Sequence, residues 1–284
     1  MLALPDISPS QKPIWSETRR FFPSEGKIRS GHRNIRNIFQ IPRGSDDATE
    51  RHGVSVGQAY PYDIQKIQNL YELVSVNGNN VQERISRWQE EGGMFNMPSE
   101  GELLDQIWSP GNIILTVKNI RKEILGFFST TEKYDISPDS IRFLNNDEEA
   151  FYTKVYNTGN FSHGLDIVVN PHLTSGIPTA SLLQLHLFDE LHKRKEAPNE
   201  FSYFACEIYE IQGYTHKNIY HEVNAPNRRS EGLFRKAGAR HVGIIPRKID
   251  INDFAIDIRS KVFLLNIERS LGKLSERYLM PYVS

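Results

Sequence analysis

The stretch that most constrains this chain is residues 164–195, GLDIVVNPHLTSGIPTASLLQLHLFDELHKRK. It opens with a short β-branched run, 164–170, of the kind a buried strand carries. A loop follows over 171–178. Residues 179–195 then place Ala180, Leu183, Leu187 and Leu191 on one helical face. Thr179 can cap the start, and Lys193, Arg194 and Lys195 oppose the negative end of the helix dipole. A strand, a loop and an amphipathic helix in that order predict an α/β fold. A helix N-terminus presents unpaired N–H groups and a positive dipole end, so phosphates bind there without a dedicated cation. Ser175, Gly176, Thr179, Ala180 and Ser181 are small enough to let a pyrophosphate reach the backbone. Any helix also needs a cap, so the loop alone leaves both readings open.

The remaining pattern divides in two. Residues 1–52 are rich in Pro, Ser, Gly and Arg, with eight Lys/Arg against two Asp/Glu between Gln11 and Arg43. Poor periodicity there predicts a flexible basic arm; a segment wrapping another subunit or holding an anion is the alternative. Residues 53–284 read as one globular domain. A strand is predicted over 54–60, and helices over 63–74, 80–89 and 99–108. A hairpin follows, with strands 112–117 and 123–129, and then a less legible stretch, 134–160. Beyond the central unit we predict a helix over 198–212, a strand over 218–223 and a helix over 227–237. Strands over 241–245 and 262–267 and a helical tail over 270–278 complete the reading.

Composition limits the function classes. The formal net charge of −1 calls for neither nucleic acid nor an anionic membrane. The lone cysteine, Cys206, excludes an intrachain disulfide framework and a cysteine zinc cluster, and points to a reducing compartment. It falls within the predicted 198–212 helix and reads as a small buried core residue. No run reaches the ~18 apolar residues of a membrane span, and the first residues lack a secretory pattern. Cytoplasm is the expected location. The nine histidines show no metal-ligand spacing, so no metal is expected.

Four stretches together resemble the GCN5-related N-acetyltransferase (GNAT) superfamily. LTVKNIRKEILGFFS is similar to its second and third strands, with an aliphatic-Gly-Phe return at Leu125, Gly126 and Phe127. DIVVNPHLTSGIPTASLL is similar to its fourth strand, phosphate loop and third helix. HEVNAPNRRSEGLFRKAGARHVG is similar to its fifth strand and fourth helix, with Val223, Asn227, Ser230, Phe234 and Gly238 at the family's spacing. The N-terminal strand and helix pair fit the acceptor side. The resemblance covers roughly 53–268. It implies a mixed, mostly antiparallel central sheet flanked by helices. The phosphate loop departs from the family pattern: Thr174 stands at its Arg/Gln position, Ile177 and Thr179 at its two glycines, and Gly176 falls one place early.

The resemblance implies transfer of an acetyl or other acyl group from coenzyme A to an amine. It implies fourth and fifth strands that splay apart, with the pantetheine chain pairing along Ile167, Val168 and Val169. The phosphate site would use Thr174, Ser175, Gly176, Ile177, Thr179 and Ala180. Asn227, Ser230 and Phe234 would border the cofactor, and Asn227 can also cap its helix. An amine of pKa near 10.4 must lose a proton before attack. His163 and Asp166 are the local candidates for the base, and strand alternation predicts opposite faces for them. His221 and Glu222 are further candidates, again on opposite faces. The family's frequent acidic tyrosine is replaced here by Phe234, which leaves Tyr220 or Tyr214 as substitute proton donors. Three readings follow. The first is an acyl-CoA-dependent N-acyltransferase. The second uses an acidic acyl carrier protein as donor, met by the basic arm. The third is a non-catalytic acyl-CoA-binding module. A small-molecule amine or aminoacyl acceptor fits the first, and a homodimer is left open.

Overall fold

In the computed structural model, Asn112–Asn119 (β3) alternates strictly. Ile113, Leu115 and Val117 enter one buried cluster while Ile114 enters another. That alternation defines two covered faces of one sheet. The structure describes residues 19–20, 54–76, 81–91, 93–94, 97–109, 112–119, 121–131, 136–158, 161–173, 179–193, 202–251 and 253–278.

Before β3 come Arg19–Arg20 (β1), Val54–Gln58 (β2), and the helices Ile64–Val74 (α1), Val81–Glu91 (α2) and Glu100–Trp108 (α3). After it come Ile124–Thr131 (β4), Arg142–Phe143 (β5), Asn146–Asn157 (α4), Phe161–Val169 (β6) and Thr179–Lys193 (α5). The rest comprises Tyr203–His216 (β7), Ile219–Pro226 (β8), Arg228–Lys236 (α6), Arg240–Ile251 (β9), Phe254–Asn266 (β10) and Ile267–Tyr278 (α7). The described strands form one ten-stranded sheet in the order β1-β2-β3-β4-β6-β7-β10-β9-β5, with β8 paired to β7. Every described strand pairing is antiparallel except β6 with β7. This is the mixed, mostly antiparallel α/β sheet expected from the sequence.

One face carries α5, α6 and α7 over a core that includes Leu115, Phe128, Leu183, Phe188, Phe204, Phe234 and Phe263. The other carries α1 and α3 over Ile114 and Phe127, α2 over Ile211 and Ile256, and α4 over Ala205 and Val262. Within the stretch 134–160, Ile136, Ile141, Tyr152 and Val155 are thus part of the core. Asn145 starts α4 by accepting from the Glu148 N–H at 3.0 Å. The arm is not wholly separate from the sheet, because Arg19 and Arg20 pair with Val56 and Ser55.

Three expectations need correction. The helix predicted over 198–212 is a strand from Tyr203 onward, the long strand β7. β7 is buried on both faces, with Phe204, Cys206 and Ile208 on one side and Ala205 and Ile211 on the other. A strand apolar on both sides satisfies a helical template as readily as its own. Cys206 is therefore a strand residue, although buried as expected, and burial pushes its thiol pKa up.

The second correction concerns the role of 218–223. The segment is a strand as predicted, β8, but it is the hairpin return of β7, turned at Lys217 and Asn218 with φ of 48° and 64°. The strand parallel to β6 is β7 instead. Third, the late strands are longer than predicted and pair along a hairpin, Phe254 against Ile251 through Leu264 against Arg240.

Candidate active site

Parallel pairing between β6 and β7 runs only from Phe161–Tyr203 to Gly164–Cys206. Beyond that level, among the described residues, β6 pairs only with β4, and β7 is taken up by β8 from Glu210 onward. The two strands therefore part over Leu165–Val169 on one side and Glu207–Tyr209 on the other. On β6 the Asn170 N–H donates to the Leu125 carbonyl at 2.8 Å. Antiparallel alternation then turns the Val168 backbone groups toward β4 and those of Ile167 and Val169 toward the open side. The Val168 side chain is itself buried in the core.

Gly126 fixes what stands at the end of this opening. A Cβ there would lie 2.7 Å from the Val168 carbonyl oxygen and 2.9 Å from Thr179 Cγ2. Only glycine lets the first turn of α5 settle onto the end of β6. Thr179 is buried, Ala180 is half-buried, and the start of α5 stands beside the Val168–Val169 end of β6. Thr174, Ser175, Gly176 and Ile177 lie outside the described residues.

On the face covered by α1, three polar groups meet. Tyr71 donates its hydroxyl to Asp166 Oδ2 at 2.6 Å, and the Asp166 N–H donates to Ser129 Oγ at 3.2 Å. α1 is held in register from its start. Asp63, fully buried, accepts from the Tyr60 N–H at 3.0 Å and from Lys118 Nζ at 2.6 Å. Burial pushes the Asp166 carboxyl pKa up to about 6, and the Tyr71 hydrogen bond partly offsets that rise. Burial, with the Asp166 charge second, holds the Tyr71 phenol well above its ordinary value, so it stays a donor.

Sequence reasoning placed His163 and Asp166 on opposite faces. The register shows otherwise. Ser129 pairs with Asp166, Thr130 with Gly164, and Thr131 with His163. Leu165 is an extra residue in β6, and this bulge returns His163 to the face of Asp166. His163 is fully buried, and desolvation drives its pKa well below the ordinary value, so it is neutral at pH 7.

Glu222 and Tyr220 are not brought here. They pair with Gly213 and Thr215, which are seven and nine residues past Cys206. At about 3.3 Å per residue that is more than 20 Å along β7. Both are exposed on the hairpin, as is His221, while Tyr214 is buried against His221 and Phe254. On the opposite face, Asn227 caps α6 by accepting from the Ser230 N–H at 3.1 Å. Phe234 is buried against Phe128 and Phe204, at centroid distances of 6.3 and 6.2 Å.

Sequence reasoning missed two phenols. Tyr71 lies on an apolar helical stripe and reads as core. Tyr209 falls inside the segment read as a helix. On β7 it occupies the parted stretch and the face of Asp166. Its pKa is pushed up to about 12, chiefly by burial and the Glu207 charge, with Asp166 contributing. Glu207 itself accepts from Arg247 at 2.6 and 2.9 Å and from Ser260.

No protein-family model matches this sequence, and no curated protein does. Among solved structures, similarity is found to spermidine N-acetyltransferase from Vibrio cholerae in complex with CoA and spermine. Identity is 14%, coverage 77% of this chain and 98% of that one, and the TM-score 0.42. A second is yncA from Salmonella typhimurium with acetyl-CoA, at 12% identity, 75% and 94% coverage, and TM-score 0.43. A third is Arabidopsis thaliana NAA60 with a bisubstrate analogue, at 12% identity, 75% and 97% coverage, and TM-score 0.45.

Proposed function

We propose that this chain is a GNAT-type N-acyltransferase that moves an acetyl or other acyl group from coenzyme A to an amine. One observation carries the reading: β6 and β7 part after Gly164 and Cys206, at the N-terminus of α5 and beside a carboxyl of raised pKa. The backbone groups that Ile167 and Val169 turn to the open side suit the amides of a pantetheine arm laid along β6 like an added strand. The helix N-terminus at Thr179 suits its phosphates.

In this reading Asp166 is the base that accepts the proton of the attacking amine. Tyr71 holds the orientation of its carboxylate and keeps part of its charge stabilised, while Ser129 accepts from its backbone N–H. A backbone N–H of the open edge near Val169 would meet the oxyanion. Tyr209 is the phenol placed to protonate the departing thiolate, a role the buried Phe234 cannot fill. A thiol of pKa near 8.5 leaves readily, so this assistance is the smaller effect. A small-molecule amine is the acceptor class proposed. The cytoplasm is the proposed location; among the described residues no helix is long and apolar enough to cross a membrane.

Calorimetric titration with acetyl-CoA is the direct test. Binding at micromolar to millimolar concentration is expected, and no heat at several millimolar would end the reading.

Two variants probe the parts. Gly126→Ala forces Thr179 and the Val168 carbonyl apart and is expected to weaken acetyl-CoA binding about tenfold, at a cost of roughly 1–3 kcal/mol in stability. Gly101→Ala, which has open space around it in α3, is the control: binding should not change and stability should not fall, Ala being the better helix former by about 0.5–1 kcal/mol. Tyr71→Phe removes the hydrogen bond that lowers the Asp166 pKa. The acid limb of the rate profile then moves to higher pH, and kcat/KM at pH 6 falls about 3–10-fold. An unmoved limb would show that Asp166 is not the group titrating.

A further inference from the structure

Gln184 is fully buried, yet among the described residues neither its Oε1 nor its Nε2 has a hydrogen-bond partner. Buried side-chain amides are almost always satisfied, and an orphan of this kind carries a desolvation cost. Its surroundings are apolar: Leu183, Leu187, Phe188 and Leu191, all fully buried, share its side of α5. At 3.6 residues per turn these five side chains form one stripe, the stripe that faces the sheet.

The position along that stripe can be fixed. Phe188 packs edge-on against Phe204 at a centroid distance of 5.3 Å. Phe204 pairs with Ser162, and its ring covers Gly164, where a Cβ would come within 2.7 Å of Cζ. Gln184 stands one turn nearer the N-terminus of α5 on the same side. Because α5 returns antiparallel to β6, that turn of about 6 Å carries it roughly two strand residues toward the C-terminal end of β6. This is the level of Gly164 and Cys206, where the strands part.

We propose that Gln184 is a ligand-binding residue: its amide completes its hydrogen bonds on the carbonyl-bearing arm of the acyl donor entering between β6 and β7. The inference rests on the acyltransferase reading and deepens it. The Nε2–H groups can donate to a carbonyl oxygen, and Oε1 can accept an N–H. The arm of an acyl-CoA offers both, in its two amides and its thioester carbonyl. The unmet amide is then a cost held in the free protein and recovered on binding.

Gln184→Met keeps length and volume and removes both polar atoms. The variant is expected to melt about 2–6 °C higher than the parent, because the orphaned amide is gone. It should also bind acetyl-CoA about 5–20-fold more weakly. Titrations with CoA and with acetyl-CoA separate the partners. An equal loss for both assigns a pantetheine amide, and a loss confined to acetyl-CoA assigns the thioester carbonyl. A lower melting temperature would mean that the amide has a structural partner and would overturn the proposal. So would unchanged affinity for both ligands in a folded variant. If the parent itself binds neither ligand, it is the acyltransferase reading that fails.

Discussion

Asn in place of Asp166 is expected to lower kcat/KM by roughly 10²–10⁴-fold at pH 8, the range that a positioned general base contributes. The same change should raise stability. The folded-state pKa of about 6 lies above the ordinary 3.8, so the native protein binds this proton more tightly than the unfolded chain does. The stabilising contribution is therefore fully present below about pH 4 and is lost as pH rises through 6. Above that, the parent carries a desolvated carboxylate costing roughly 2–3 kcal/mol at 1.36 kcal/mol per pKa step. Asn carries no charge and still accepts from Tyr71. Denaturation midpoints of parent and variant should thus converge near pH 4 and separate above pH 6, with the variant the more stable. The rate profile gives the complementary sign. Only the carboxylate takes a proton, so kcat/KM of the parent climbs through pH 6 and levels off, and the variant loses that limb. A variant with near-parental turnover, or a stability difference that shrinks as pH rises, would contradict the assignment.

The second large effect is on folding. Phe204→Ala should cost about 3–5 kcal/mol, a substantial part of the roughly 5–15 kcal/mol by which a domain is stable. The ring is fully buried and meets Phe128, Phe188 and Phe234 at centroid distances of 5.8, 5.3 and 6.2 Å. It also fills the space that Gly164 leaves open, so its loss opens a cavity that neighbouring side chains cannot close. Urea unfolding should show a lower midpoint with an unchanged slope. Because the ring lies where the β6–β7 pairing stops, acetyl-CoA binding should weaken as well. A loss under 1 kcal/mol would show that the four rings do not act as one cluster.

These predictions differ in how far the sequence alone could have led to them. Elements with a short-range signal were legible. Thr179 and the apolar stripe behind it marked α5, the run around Lys118–Lys122 marked the β3–β4 turn, and Asn227 and Gly238 bracketed α6. Each is written in caps, turns or a period of two or 3.6, which neighbouring residues impose on one another. Gly126 carried a family spacing whose physical reason, contact with Thr179, appears only in three dimensions.

What the sequence by itself determined, then, is an α/β chain with a strand followed by an amphipathic helix starting at Thr179 at its centre. Tertiary structure decided the rest. The pairing of Tyr71 with Asp166 spans 95 residues and has no local signature. The bulge at Leu165 reverses the face of every residue before it, because the side-chain period of a strand is two and one extra residue shifts it by half. β7 is a strand because β6, β8 and β10 supply the hydrogen bonds its backbone needs, and no sequence window contains those partners.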